Sequence, residues 1–282
     1  MKTRVLVGVV AIPIIVLIIF FAPVWVFGAV LGAVAAIGAW ELLRCVMPDL
    51  PKRMVGYACA GAFLLPLVTS LGHYELVERF VLWALVVVMF CELMLTFRGE
   101  NRMDFTPVTL VVFAGFVLPM LFTSLVRLQM MEHGPVFVLL PFVAAFSSDS
   151  GAYFAGMYLG KHKLAPALSP KKTIEGSIGG FAAAIVLMLV YGLILKLSGL
   201  TVNFLILAIY GFLGSLAGQL GDLAFSAIKR LHGVKDYSHI IPGHGGSESM
   251  LHLKESLRIL KWLNPALKDD MIMLVPIWDF SP

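Results

Sequence analysis

Apolar runs long enough to cross a bilayer recur along almost the whole of this 282-residue chain, and that recurrence constrains the fold more than any other feature. A helix needs about 20 such residues to span the hydrocarbon. Inside it every backbone N–H and C=O must be satisfied within the segment, so each run reads as a helix. The runs are Val5–Phe21, Val24–Leu43, Val55–Leu71, Phe80–Thr96, Thr109–Val126, Val136–Tyr158, Ile178–Leu195 and Val202–Leu220. Charged residues are only 13% and hydrophobic ones 60%, against roughly 25% charged in a soluble domain. The expected fold is an all-α polytopic integral membrane protein of about eight transmembrane helices, with no room for a separate soluble domain. Lys2 and Arg4 ahead of the first run would suit a secretory signal, but no small-residue cleavage site precedes Pro23, so the run is taken as a span.

The formal charge of +4 resembles a nucleic-acid signal until its distribution is followed. With the N-terminus in the cytoplasm, the inner segments carry Lys2 and Arg4, then Arg44, Lys52 and Arg53, then Arg98 and Arg102. Farther along they carry Lys161, Lys163, Lys171 and Lys172, then Lys229, Arg230 and Lys235. The outer connections hold only Arg79, Arg127 and Lys196. This one-sided bias is the positive-inside pattern of a multi-pass protein of the cell (inner) membrane, and it leaves no case for nucleic acid as a partner. It also turns the polar, glycine-rich segments Gly160–Gly176 and Gly221–Gly246 toward the cytosol, predicting a polar cavity on that side.

Both segments hold chemistry that is costly beside a bilayer. Asp149 stands among Ser147, Ser148 and Ser150 at membrane depth, where a carboxylate is neutral, paired or wetted by a cavity. It is either a functional acid or a packing residue bonded to those serines. Ser169-Pro170 reads as a helix start, with Ser169 as N-cap and Pro170 at the first helical position. Free N–H groups there, with Lys171 and Lys172, would converge on an anion; the lysines could equally anchor the loop inside. A Walker A loop fails, because Ala155 stands where glycine is required and His162 follows Lys161 where a hydroxyl is needed. In the second segment Asp222, Ser226, Lys229 and Arg230 share one face of a short helix at i, i+4, i+7 and i+8. Pro242-Gly243-His244-Gly245-Gly246 then lets backbone N–H groups approach a ligand. His162, His232 and His239 read as loop residues. Cys45, Cys59 and Cys91 lack metal-ligand spacing and read as packing residues. Glu41 and Glu92, near cytosolic span ends, are either structural or line a lipid access path.

The block S-x-x-K-R-x(4)-K-D-x(5)-P-G-H-G-G at Ser226–Gly246 resembles the signature of the phosphatidate cytidylyltransferases. The resemblance continues in D-S-G-A-Y at Asp149–Tyr153, G-K-H-K-L-A-P at Gly160–Pro166 and S-P-K-K-T-I-E-G at Ser169–Gly176. It implies transfer of CMP from CTP to phosphatidic acid on the cytosolic side, with Mg²⁺ in a two-metal site and a homodimer as the assembly. It places Asp222 and Asp149 at the metal. It places Lys172, Lys229, Arg230 and Lys235 at phosphates, with Ser226, Asp236 and His244 completing the catalytic group. Ser169, Lys171, Thr173, Gly245 and Gly246 become substrate-binding positions. On this reading residues 1–104 are N-terminal transmembrane helices, 105–246 the catalytic transmembrane region with its cytosolic loops, and 247–282 a divergent tail. A membrane transporter of an anionic metabolite would also put charge in spans, but it would spread charge along a path and no inverted repeat is visible. A CDP-alcohol phosphotransferase would show D-G-x-x-A-R, which this chain lacks.

The family pattern continues after H-G-G with D-R-x-D and a last apolar span, whereas this chain reads Ser247-Glu248-Ser249-Met250-Leu251-His252. One metal carboxylate implied by the resemblance is therefore missing. Met250–Leu263 instead sets Met250, Leu253, Leu257 and Leu260 on one stripe, as in an interfacial amphipathic helix. Two origins compete, a shifted reading frame near codon 247 and a homologue with weakened or lost catalysis; the abruptness of the break favours the shift. Translating the gene's other frames past codon 247 should recover D-R-x-D and an apolar run, and their absence would exclude the shift.

Overall fold

The structure, a computed structural model, describes residues 13–72, 74–97, 104–234 and 237. Residues 13–21 are helical. Then follow α1 (Val24–Val46), α2 (Lys52–Thr69), α3 (Tyr74–Thr96) and α4 (Thr106–Val112). A π-helical turn, Phe113–Val117, leads into α5 (Pro119–Gln129) and α6 (Gly134–Leu159). A small antiparallel ribbon of β1 (Lys163–Ala165) and β2 (Ser169–Thr173) precedes α7 (Ile174–Leu197) and α8 (Phe204–Leu231). Each apolar run thus falls on a helical stretch, the first seen only from residue 13 onward. Six helical spans among the described residues are long and apolar enough to cross a membrane: Val24–Val46, Leu76–Thr96, Thr106–Gln129, Gly134–Leu159, Ile174–Leu197 and Phe204–Leu231. The helix Lys52–Thr69, with Lys52 and Arg53 in its first turn, is not one of the six. Along α3 the exposed Leu76, Phe80, Trp83, Val87, Phe90 and Met94 form a helical stripe of large apolar side chains, a surface suited to lipid rather than water.

The chain folds as two compact units. The first gathers the described residues up to Val138 with those from Ala224, and the second is Leu139–Leu223. In the first, Leu65, Val81, Leu85 and Phe116 form a buried cluster. Small residues bring its helices together, since a Cβ at Gly32 of α1 would stand 2.5 Å from the Phe63 carbonyl oxygen of α2. Pro119 has no N–H to give the Gly115 carbonyl, and the helix widens just ahead of it, with Leu118 N–H donating to Phe113 O at 3.0 Å. The Gly115 carbonyl oxygen would stand 2.7 Å from a Cβ at Gly61, so only glycine leaves it room.

Two ion pairs tie α3 to its neighbours. Arg127 of α5 meets Glu78, with both side chains only 8% exposed. Near the other end of α3, Arg53 of α2 approaches Glu92 at 2.7 Å, and the Tyr57 hydroxyl donates to the same carboxylate at 3.3 Å. Glu92 is thereby a structural residue, and Glu41 is buried in α1. Removing one partner of a buried pair strands the other and costs roughly 3–5 kcal/mol, while replacing both with apolar groups is often close to neutral. Arg127→Leu should therefore lower the unfolding temperature in detergent sharply, and adding Glu78→Leu should restore most of the loss; a single-variant temperature equal to wild type would show that the pair does not stabilise the unit.

Candidate active site

In the second unit α6 and α7 cross at close range. A Cβ added to Gly179 would stand 2.2 Å from Ala155 Cβ, and one added to Gly151 would stand 2.3 Å from Ala183 Cβ. Each helix thus presents small residues four apart, the spacing that lets apolar helices approach backbone to backbone. Polar side chains bind the same region to α8. The Ser148 and Ser215 hydroxyls are 2.6 Å apart. Gln219 donates to Ser215 Oγ at 3.1 Å and to the Ser177 carbonyl at 3.2 Å, while the Ser177 hydroxyl donates to Gln219 Oε1.

This framework surrounds a cavity of about 370 Å³. Asp149, Tyr153 and Met157 of α6 line it, with Lys171, Lys172 and Thr173 of β2, Ser177 of α7, and Gln219 and Asp222 of α8. Lys172 forms an ion pair with Asp222, the two side chains 27% and 37% exposed. That exposure leaves the pair accessible to an incoming polar group, in contrast to the sealed Arg127–Glu78 pair. Near Asp149, the Ser147 hydroxyl donates back to Val143 O at 2.5 Å, and Ser148 bonds Ser215.

The Ser169-Pro170 helix start expected from the sequence is corrected. Ser169–Thr173 is an extended strand, Ala165 pairs with Ser169, and the helix begins at Ile174. The cap is Thr173, whose hydroxyl accepts from Gly176 N–H at 3.1 Å, so Pro170 lies in a two-stranded edge where its missing N–H is tolerated. Lys171 and Lys172 are therefore presented by a strand. The short helix expected after Leu220 is likewise part of α8, which runs unbroken to Leu231. Ser226, Lys229 and Arg230 follow Asp222 along that helix. Ser226 is buried, and Lys229 lies 5.5 Å from the Tyr237 ring centroid, whose hydroxyl donates to Phe225 O at 3.0 Å. Ser169, Ser226, Lys229 and Arg230 are not among the residues lining the cavity. Lys235, Asp236, His244, Gly245, Gly246 and the tail 247–282 lie outside the described residues.

Two features escaped the sequence reading. Ser215, Gln219 and Asp222 recur at helical spacing in an apolar span, a polar stripe that could have been followed upstream from Asp222. Glu175 clamps the ribbon from the first turn of α7. It accepts from Lys161 N–H at 3.1 Å and from His162 N–H at 3.2 Å, and lies 2.6 Å from His162 Nδ1. His162 is thus a structural partner of Glu175.

A divalent cation fits this cavity on the chemistry of its donors. Mg²⁺ is commonly held by one or two carboxylates with substrate phosphates and water completing its shell. Asp149 and Asp222 supply two carboxylates to one cavity, while no cluster of three or more His, Cys, Asp or Glu side chains occurs among the described residues. Glu175→Ala should free the ribbon that carries Lys172 and raise trypsin cleavage at Lys161, Lys163, Lys171 and Lys172 several-fold in the detergent-solubilised protein. Unchanged cleavage would remove the clamp from the account.

Comparison with known proteins places the chain in a family. The model of the cytidylyltransferase family matches residues 2–247, ending where the motif pattern breaks. The phosphatidate cytidylyltransferase of Bacillus subtilis (strain 168) is 33% identical over 253 residues, covering 87% of this chain and 90% of that protein. The protein of the same name from Staphylococcus haemolyticus is 31% identical over 251 residues, covering 87% of this chain and 92% of that protein. By motif, membrane-spanning architecture and near full-length similarity, this chain belongs to the cytidylyltransferase family.

Proposed function

We propose that this chain is a CTP:phosphatidate cytidylyltransferase, making CDP-diacylglycerol and pyrophosphate for phospholipid synthesis. The observation that carries the reading is the open Lys172–Asp222 pair in a cavity that also holds Asp149 and Lys171, within a chain whose relatives bear that name. A phosphate oxygen of phosphatidate forms a bond to the α-phosphorus of CTP, the bond from that phosphorus to the bridging oxygen breaks, and pyrophosphate departs with the electron pair. The nucleophile needs little proton abstraction, since a phosphate monoester loses its second proton near a pKa of about 6. The main obstacle is repulsion between two polyanions, which fixed cations and backbone dipoles offset without reorganising.

Lys172 is held by Asp222 before substrate arrives, so its ammonium is already placed when a phosphate enters. Lys171 on the same strand adds a second charge, and Ser177 and Gln219 orient polar groups at the wall. Asp149 and Asp222 would hold Mg²⁺, which when bound neutralises phosphate charge and polarises phosphoryl oxygens. Lys229, Arg230, Lys235, Asp236 and His244, with Ser169, Thr173, Ser226, Gly245 and Gly246, complete the proposed substrate contacts. The positive-inside bias supports an inner-membrane location with the N-terminus and active-site loops in the cytoplasm. A homodimer is the proposed assembly.

The purified chain in mixed micelles should convert CTP and phosphatidate to CDP-diacylglycerol in a Mg²⁺-dependent way. Asp222→Asn should abolish turnover, and Lys172→Met should lower it by about 10²-fold or more, in line with loss of one preorganised electrostatic group. Near-normal turnover in Asp222→Asn would remove that carboxylate from the site, and CTP-independent uptake of an anion into proteoliposomes without lipid product would overturn the enzyme reading.

A further inference from the structure

A second cavity lies in the first unit, where the last turn of α1, the connection 47–51 and the first turns of α2 enclose about 430 Å³. That volume falls within the range of about 300–1,000 Å³ typical of small-ligand sites. Arg44, Lys52, Trp40 and Asp49 line it, with Val55 and Cys59 deeper along the helices. None of these residues lines the cavity that holds Lys172 and Asp222.

The cations here differ from their neighbours. Arg53, the residue after Lys52, faces Glu92, and Arg127 faces Glu78. Arg44 and Lys52 have no carboxylate within ion-pair distance among the described residues, although Asp49 shares their cavity. The Arg44 guanidinium instead lies 5.7 Å from the centroid of the Trp40 ring. A guanidinium held over a ring rather than by a carboxylate keeps N–H donors for a planar, bidentate contact, which is the geometry that suits a phosphate. Arg44 also lies in the last turn of a membrane-spanning helix. Trp, Arg and Lys at such a position mark the level of lipid headgroups, and basic crevices between helices at that level take anionic headgroups.

We propose that this cavity binds the headgroup of an anionic glycerophospholipid, its phosphate held between Arg44 and Lys52 and its acyl chains remaining in the bilayer. Asp49 weakens that attraction and sets its strength. The site is separate from the proposed catalytic cavity and does not depend on the catalytic reading.

The test uses the full chain in a neutral detergent, with phosphatidylglycerol or phosphatidylcholine added and lipids retained per chain counted by native mass spectrometry. Wild type should retain phosphatidylglycerol in preference to phosphatidylcholine. Arg44→Gln/Lys52→Gln should retain about thirtyfold less, as expected for two cations lost at a lipid interface. Asp49→Asn should retain more, a gain that misfolding would not produce and that decides the matter if the double variant fails to fold. Taking each variant against wild type isolates this cavity, because both keep Lys172 and Asp222. Equal retention by wild type and the double variant, no gain in Asp49→Asn, or no preference for the anionic lipid would overturn the proposal. So would displacement of the lipid by equimolar inorganic phosphate, which would mark a site for soluble anions.

Discussion

A charge removed from water must be matched, and the way this chain meets that requirement separates its framework from its chemistry. Arg127 and Glu78 are closed off together and act as a fastening between α5 and α3. Lys172 and Asp222 are also matched, but both are accessible, so their pairing can be exchanged for contacts to an incoming phosphate or cation. The two cases share an attraction and differ in access to solvent. In the proposed reaction, where highly charged reactants meet, that access is what the second pair would contribute.

The second unit depends on close packing as much as on charge. Gly151 and Gly179 bring α6 and α7 together, and a chain of hydrogen bonds runs from Ser148 through Ser215 and Gln219 to Ser177. Gln219 stands where that network meets the cavity wall. The network is therefore a rigid backing for the wall in which Asp222 sits, and the ribbon fixed by Glu175 brings Lys172 against it.

Most helices were legible because bilayer thickness imposes a length on apolar runs, and the expected boundaries Val24, Thr96 and Tyr158 lie within a residue or so of observed helix ends. The ribbon was not legible. Ser169-Pro170 carries the local signal of a helix start, yet Thr173 carries the same signal with a better outcome, since its hydroxyl reaches Gly176 N–H and Glu175 reaches back to residues 161 and 162. Tertiary contacts chose between two plausible caps. Asp149, Lys171, Lys172 and Asp222 stood out by their chemistry, because polar groups are conspicuous in an apolar chain, while the roles expected of them came from the family resemblance. That Lys172 and Asp222 would touch depended on the crossing of distant helices, and no local pattern encodes it. Gln219 was missed for the opposite reason, being uncharged and inside a span.

The widened turn at Phe113–Val117 has a consequence for the azimuth of everything after it. An α-helix advances by about 100° per residue, so a turn that accommodates one extra residue rotates the following segment by that angle relative to an unbroken helix. Arg127 lies downstream of the turn and Glu78 lies on another helix. Proline at 119, by forcing the wider turn, thus governs the direction in which a guanidinium far along the same rod points, and a backbone irregularity becomes the setting that aligns a distant charge with its mate.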